Sequence, residues 1–147
     1  LDALGKHLAQ SGNVADIASG GIGCMRVYLV IMDETDEALV ALRFATRRAA
    51  KTGGALHLLA LIPPQPFQAF AGVQATIEQV KQGEGIKVVR DYLAEHPEIS
   101  ALVLGAAKDG GPGPLVSHFA GAVAGQLPCP VFVVPGTLSE EDIDRLS

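Results

Sequence analysis

From Ala101 to Gly136 the chain reads Ala-Leu-Val-Leu-Gly, then Ala-Ala-Lys-Asp-Gly-Gly-Pro-Gly-Pro, then an apolar run of helical character, then Pro-Cys-Pro-Val-Phe-Val-Val-Pro-Gly. No other stretch constrains the fold as strongly. Two apolar runs without alternation are the mark of strands buried on both faces, as in parallel sheets. Between them a glycine-rich loop leads into a helix. A strand that hands a glycine loop to a helix N-terminus is one way to build an anion site.

The rest of the chain repeats the theme. Arg26 to Met32 is a continuous apolar run and predicts a first buried strand. Asp33 or Thr35 is placed to cap the helix that follows, and Asp36 and Glu37 suit its first turn. That helix is predicted over Glu37 to Lys51, with Ala38, Leu42, Ala45 and Ala49 on one stripe and Gly53-Gly54 as its stop. Ala55 to Ile62 is a second buried strand, ended by Pro63-Pro64-Gln65-Pro66. Phe67, Phe70 and Val73 in the next loop either form a hydrophobic lid or pack beneath it. Ala75 to Gln82 alternates around Ile77 and Val80 and predicts a strand, at an edge of the sheet.

Gly83-Glu84-Gly85 turns the chain into a helix over Ile86 to His96, with Ile86, Val89 and Leu93 on its apolar face and Pro97 closing it. Ser100 to Leu104 is the fourth strand. A last core helix is expected over Pro114 to Leu127, with Pro114 at its first position. Gly121 and Gly125, four residues apart, would let it lie close on a sheet. Val131 to Val134 is the fifth strand, and Ser139-Glu140-Glu141-Asp142 has the pattern of a capping box opening a short helix. Strands alternating with helices give an α/β fold: an open, mostly parallel five-stranded sheet with helices on both faces, Rossmann-like. Ligands of such sheets bind beyond the carboxyl ends of the strands, where the strand order switches. Those ends carry Asp33, the Pro63 loop, Gly83 and Gly105.

Residues 1–25 read as an extension of the domain at 26–136, and residues 137–147 as a short helix or tail. Leu1 to Gln10 has Leu4 and Leu8 at helical spacing, and Ser11 to Cys24 has the glycine and serine content of a linker. The extension is either a packing arm or a loose one.

Composition narrows the function classes. At 147 residues and 48% hydrophobic content the chain can bury a core of its own. Its net charge of −5 disfavours nucleic acid and anionic membrane surfaces. No apolar run approaches the roughly 18 to 20 residues of a membrane span, and no signal-peptide pattern opens the chain. Cys24 and Cys129 make no disulfide framework, which points to a reducing cytoplasm. His7, His57, His96 and His118 fall in separate segments without metal-ligand spacing, so no metal site is expected.

In the order of these features the chain resembles the universal stress protein family, the UspA-like domains. The first strand ends in Asp33, where the family has Val-Asp-Gly-Ser. Ala41 to Ala45 (Ala-Leu-Arg-Phe-Ala), Gly-Gly-Ala-Leu-His-Leu-Leu into the second strand, Leu-Val-Leu-Gly at Leu102 to Gly105, Pro-Cys-Pro-Val at Pro128 to Val131 and the Val-Val-Pro ending follow in family order. The resemblance covers roughly Arg26 to Gly136 and implies the adenine-nucleotide alpha-hydrolase-like version of the fold. One departure concerns a long helix that the family carries before the third strand. Here Gln74 passes almost directly into Ala75-Thr76-Ile77-Glu78. Either the helix is lost or the segment is missing from the sequence. Losing it would strip one face of a parallel sheet, which favours the second reading.

ATP-binding members of the family carry Gly-x2-Gly-x9-Gly-Ser/Thr after the fourth strand. Gly105 matches its first glycine, the second falls on Lys108, and the final pair falls near Ser117-His118. Asp33 matches the first-strand aspartate. Gly110, Gly111 and Gly113 permit close backbone approach, and Lys108 supplies a charge for a phosphate. Against that, Pro112 and Pro114 have no amide hydrogen to donate to a phosphate nest, and Asp109 repels one. Neither a Walker motif nor a Rossmann fingerprint is present. No nucleophile elbow exists, Ser117 and His118 diverge as helix neighbours, and Cys129 between two prolines reads as buried rather than reactive.

The resemblance therefore implies a cytoplasmic, universal-stress-type regulatory module, non-catalytic or at most a slow ATPase, with a degenerate nucleotide loop. It also implies a homodimer formed through the last strand, Val131, Phe132, Val133 and Val134. The alternative is a switch that binds ATP with Mg²⁺, or AMP, through Asp33, Gly105, Lys108 and the 110–113 loop. A hydrolase or nucleotidyl transferase on this scaffold would need a base–nucleophile pair that the sequence does not offer.

Overall fold

Six consecutive apolar residues cannot alternate between core and water, so β1 (Val27–Met32) must be covered on both faces. In the computed structural model, which describes residues 25–62, 77–79 and 84–147, Val27 to Ile31 are all buried. β1 is followed by α1 (Asp36–Thr52), β2 (Ala55–Ile62), β3 (Ile77–Gln79), α2 (Gly85–Glu95) and β4 (Ala101–Ala106). After the glycine loop come α3 (Pro114–Ser117), a π-helical turn (His118–Ala122), a 3-10 turn (Ala124–Gln126), β5 (Val131–Pro135) and α4 (Glu140–Leu146). The five strands pair in the order β3-β2-β1-β4-β5, every pairing parallel. The sheet is thus the predicted one, with β3 and β5 at its edges. The order switches between β1 and β4.

One face packs against α2 and the turns around Phe119, and the other against α1. Leu29, Leu59, Val89, Leu93, Leu102 and Phe119 are among the residues that make the first core. Tyr28, Val30, Val103 and Val134 meet Ala41, Ala45 and Ala49 in the second. Alanines on the buried stripe let α1 lie close to the strands. Leu42, expected on that stripe, is half-buried at its margin, and Ala41 takes the central place. Gly53 stops α1 in the left-handed conformation, φ 64°, donating its N–H to the Ala49 carbonyl. On α4, Ser139 accepts the Asp142 N–H at 3.2 Å, and Ile143 is buried. Arg43 and Arg47 on α1 clasp Asp144, while Lys51 donates to the carbonyls of Asp144 and Ser147 at the end of α4.

Three expectations are corrected. The helix predicted over Pro114 to Leu127 is a single α-helical turn that widens and then tightens. Val123 donates to the His118 carbonyl five residues back, and Val123 itself leaves helical geometry at φ −117°, ψ 10°. Gly121 and Gly125 fall in this stretch, and each glycine costs a helix about 1 kcal/mol relative to alanine. Nor do these glycines permit close packing. Both are exposed, and a Cβ on either would meet nothing within 4 Å, because Val116 and Phe119 hold the buried side. Finally, Thr35 stands at the N-cap of α1 without capping it, since its hydroxyl is turned back to Asp33. Expectations for residues 1–24, the Pro63 to Gln74 loop with Phe67, Phe70 and Val73, and Gly83 lie outside the described residues.

Candidate functional site

The site lies where the strand order switches. β1 and β4 are neighbours whose connections run in opposite directions, so their carboxyl ends open a crevice between α1 and the glycine loop. Asp33 stands at the end of β1. Its Oδ1 accepts the Thr35 N–H at 2.9 Å and the Thr35 hydroxyl, an Asx-type turn that sets the entry of α1. Gly105 lies near the end of β4. A Cβ there would stand 2.1 Å from the Glu37 carbonyl oxygen and 2.6 Å from its carbon. A Cβ on Gly136, after β5, would likewise stand 2.7 Å from the Ala106 carbonyl oxygen and 3.1 Å from the Glu37 Cβ. The first turn of α1 is thus seated directly on the ends of β4 and β5. Glycine at 105 is required by that helix-to-sheet contact, whatever else the position does.

The loop after β4 closes on itself. The Ala107 N–H donates to the Pro112 carbonyl at 3.3 Å, and Gly110, Gly111 and Gly113 have φ of 74°, 96° and 98°. Such values are open to glycine and costly for other residues. Gly113 precedes Pro114 at the start of α3, and its carbonyl accepts the Ser117 N–H at 3.0 Å.

Asp33, Gly105 and Gly113 come together on one cleft, whose walls also include Thr35, Glu37 and Leu115. Its volume is about 70 Å³, well short of the ≈ 300–1,000 Å³ of pockets that enclose drug-sized ligands. Among the described residues, the charged side chains on its walls are the carboxylates of Asp33 and Glu37. Lys108, Gly110, Gly111, Ser117 and His118 do not line it. Lys108, Gly110 and Gly111 are exposed on the outer turn of the loop. Ser117 is exposed at the end of α3, and the half-buried His118 packs edge-on against Phe119 with its Nε2 buried and unpaired. Thr35, Glu37 and Gly136 escape a reading of the sequence alone. Only Thr35 left a signal there, as the hydroxyl two residues after an aspartate.

Two further arrangements lie away from the cleft. His57 on β2 and His96 after α2 meet edge-on at 5.8 Å, and both contact Tyr92. The Tyr92 hydroxyl is 3.2 Å from His57 Nδ1, and the Tyr92 and His96 rings stack at 3.9 Å. Burial lowers the His57 pKa, opposed by the charge of Glu98, and burial raises that of Tyr92. Among the described residues no group of three or more His, Cys, Asp or Glu is arranged to hold a metal ion. Cys129 is half-buried, and burial pushes its thiol pKa up. At the opposite edge, Val134 is buried, Val131 and Phe132 are half-buried, and Val133 is 40% exposed. Phe132 touches Tyr28 and Phe44 and carries the Arg48 guanidinium 5.3 Å from its ring centre.

No protein-family model matches the chain, and no curated protein matches it. Solved structures do. Universal stress protein UspA from Lactobacillus plantarum superposes with a TM-score of 0.54 at 21% identity, over 74% of this chain and 97% of that one. A universal stress protein crystallised in complex with cAMP superposes with a TM-score of 0.48 at 17% identity, over 76% of this chain and 98% of that one. The chain has the fold of the Lactobacillus plantarum protein. Among the described residues no helix is long and apolar enough to cross a membrane.

Proposed function

We propose that this chain is a universal-stress-type regulatory protein, cytoplasmic and dimeric, whose nucleotide loop no longer holds a nucleotide. The observation that carries the reading is the cleft at the switch point. It stands where a nucleotide would bind in such a sheet, yet it is about 70 Å³ in volume and its charged walls are the carboxylates of Asp33 and Glu37. A triphosphate brought there meets like charge, with the loop's cation, Lys108, on the outside and two prolines without amide donors at its mouth. The fold and the family-ordered motifs support the family reading. On this reading the protein is non-catalytic or at most a slow ATPase, and the Thr35 hydroxyl that donates to the Asp33 carboxylate at the cleft serves the turn into α1.

Calorimetry and thermal-shift measurements with millimolar ATP and Mg²⁺, and with AMP, test the reading. No saturable heat and no rise in Tm are expected. Saturable binding by either ligand would overturn it in favour of a nucleotide switch. That second reading rests on the meeting of Asp33, Gly105 and Gly113 at one cleft, and it requires Lys108→Glu to weaken the binding.

Dimerisation through β5 is the second part of the proposal. Leu102 donates to the Pro130 carbonyl, so the alternation of the parallel ladder turns the backbone of residues 130, 132 and 134 toward β4. The backbone of Val131 and Val133 then points outward along an open edge, bounded by Pro130 and Pro135. A second copy's β5 is the natural partner for so short an edge. Val133→Pro removes the more central outward N–H while leaving the β4 side of the ladder its donors. Sedimentation velocity is expected to show a dimer for the parent and a monomer for Val133→Pro. A variant of unchanged dimeric mass refutes this interface.

A further inference from the structure

Edge strands are ordinarily protected by charges as well as by prolines. From Pro128 to Gly136 the chain has the prolines but no charged residue. β5 ends the sheet, with Val133 40% exposed and Phe132 half-buried. Phe132 and Val134 stand on the α1 face, and the Phe132 ring touches Tyr28 and Phe44. Arg48 lies over that ring with its Nε buried and without a hydrogen-bond partner among the described residues. A buried, unpaired N–H beside an open strand edge is a cost that an arriving surface can relieve.

The outward backbone restricts how two copies of β5 can pair. Residues 130, 132 and 134 are turned toward β4, so Val131 and Val133 hold the outward N–H and C=O groups. In an antiparallel pair about a two-fold axis, outward residues must face outward residues. An axis at Val133 or beyond sets Val131 or Val133 opposite Pro135, which has no N–H to give. An axis at Val131 or before it sets one of them opposite Cys129, which lies outside β5 between two prolines. An axis at Phe132 sets Val131 opposite Val133 of the partner subunit, and each donor meets an acceptor. We infer, resting on the reading that β5 is the dimer interface, that two copies pair antiparallel in this register, with Phe132 facing Phe132 of the partner subunit. Both residues turn their backbone away from the axis, so they form a non-hydrogen-bonded pair, Cα atoms ~4.5 Å apart and side chains on one face. The pair joins the Tyr28, Phe44 and Phe132 clusters of the two copies into one aromatic core. Phe132 is then the residue that fixes the register and selects a second copy of this chain.

Disulfide cross-linking reads the register, using full chains that carry one cysteine each in a Cys24→Ser, Cys129→Ser background. Phe132→Cys is expected to cross-link into a dimer on mild oxidation, since ~4.5 Å lies within the ~4.4–6.8 Å between Cα atoms that a disulfide spans. Val131→Cys alone and Val133→Cys alone are expected to run as monomers on a denaturing gel. Each is offset from its own copy by two positions, ~7 Å along the strand, which puts the Cα atoms beyond disulfide reach. A mixture of these two chains is expected to cross-link, and it reads the register even where Phe132→Cys fails to fold. Sedimentation velocity of the parent separates this inference from the reading beneath it. If the parent is a dimer but Val131→Cys or Val133→Cys cross-links with itself and the mixture gains nothing, the register is overturned and the interface stands. A monomeric parent overturns both.

Discussion

Replacing Gly105 by alanine adds one methyl group in a place the structure leaves no room for. The new Cβ would stand 2.1 Å from the Glu37 carbonyl oxygen, whereas real Cβ contacts essentially never fall under 3.0 Å. The obstacle is backbone, in the first turn of α1, so no side-chain rotation relieves it. That turn must retreat from β4 by about 1 Å to reach an ordinary contact. Overpacking of a well-filled contact costs ~1–3 kcal/mol, and a backbone obstacle belongs at the upper end. The loss of glycine's freedom in the unfolded chain returns ~0.5 kcal/mol. The expected net loss is ~2–3 kcal/mol. At ~2–4 °C per kcal/mol for a chain of this size, Tm should fall by ~5–10 °C.

Urea unfolding followed by far-UV circular dichroism measures the loss, with Gly110→Ala as the reference. Gly110 has φ 74° but open space around its Cβ position, so only the left-handed backbone is penalised, at ~1 kcal/mol. If Gly105→Ala costs no more than Gly110→Ala, the helix-to-sheet contact is not what requires glycine at 105. The role of that residue would then have to be sought in the loop.

The clasp between α1 and α4 predicts an acid-sensitive C-terminal helix. The hydrogen bond from Arg43 is the largest influence on Asp144 and holds its pKa below the usual carboxylate value, with the charges of Arg43, Arg47 and Lys51 acting the same way. A lowered pKa contributes stability above the unfolded-state value, and that contribution is lost as pH falls through the folded one. Asp144→Asn should accelerate amide exchange in α4 at neutral pH and remove this part of the acid sensitivity; unchanged exchange at Ile143 would refute the clasp. His57 makes the second pH prediction. Burial lowers its pKa, so between ~6.5 and the folded value the unfolded chain takes up the proton first, and stability falls as pH falls. Urea midpoints of the parent should decline from pH 7.5 to 5.5 more steeply than those of His57→Phe, and parallel declines would count against the buried neutral histidine.

What could be read in the sequence was whatever repeats locally. Unbroken apolar runs at β1, β2 and β4 marked a parallel sheet, because only a strand covered on both faces has no use for polar alternation. Gly53 and Ser139 carried their turn and cap chemistry with them, for the same reason that these residues suit those conformations anywhere. The run after Pro114 misled: apolar residues at helical spacing do not reveal where a helix widens around a buried Phe119 or gives way at Val123. Asp33 and Gly105 were identifiable as strand ends, and the switch-point rule placed them together.

Their meaning was settled only by folding. Glu37 is 68 positions from Gly105, yet its carbonyl is what excludes a side chain there, and nothing local to either residue reports that contact. The carboxylates on the cleft walls, with Lys108 outside, follow from the path of a loop closed by one hydrogen bond between Ala107 and Pro112. His57 and His96 belong to separate elements that Tyr92 joins. Leu58 reads as an ordinary core residue in sequence, yet it is 45% exposed in the fold. Periodicity determines which face of an element is apolar. Which neighbour arrives to cover that face, and how closely, is decided by the packing of segments far apart in the chain.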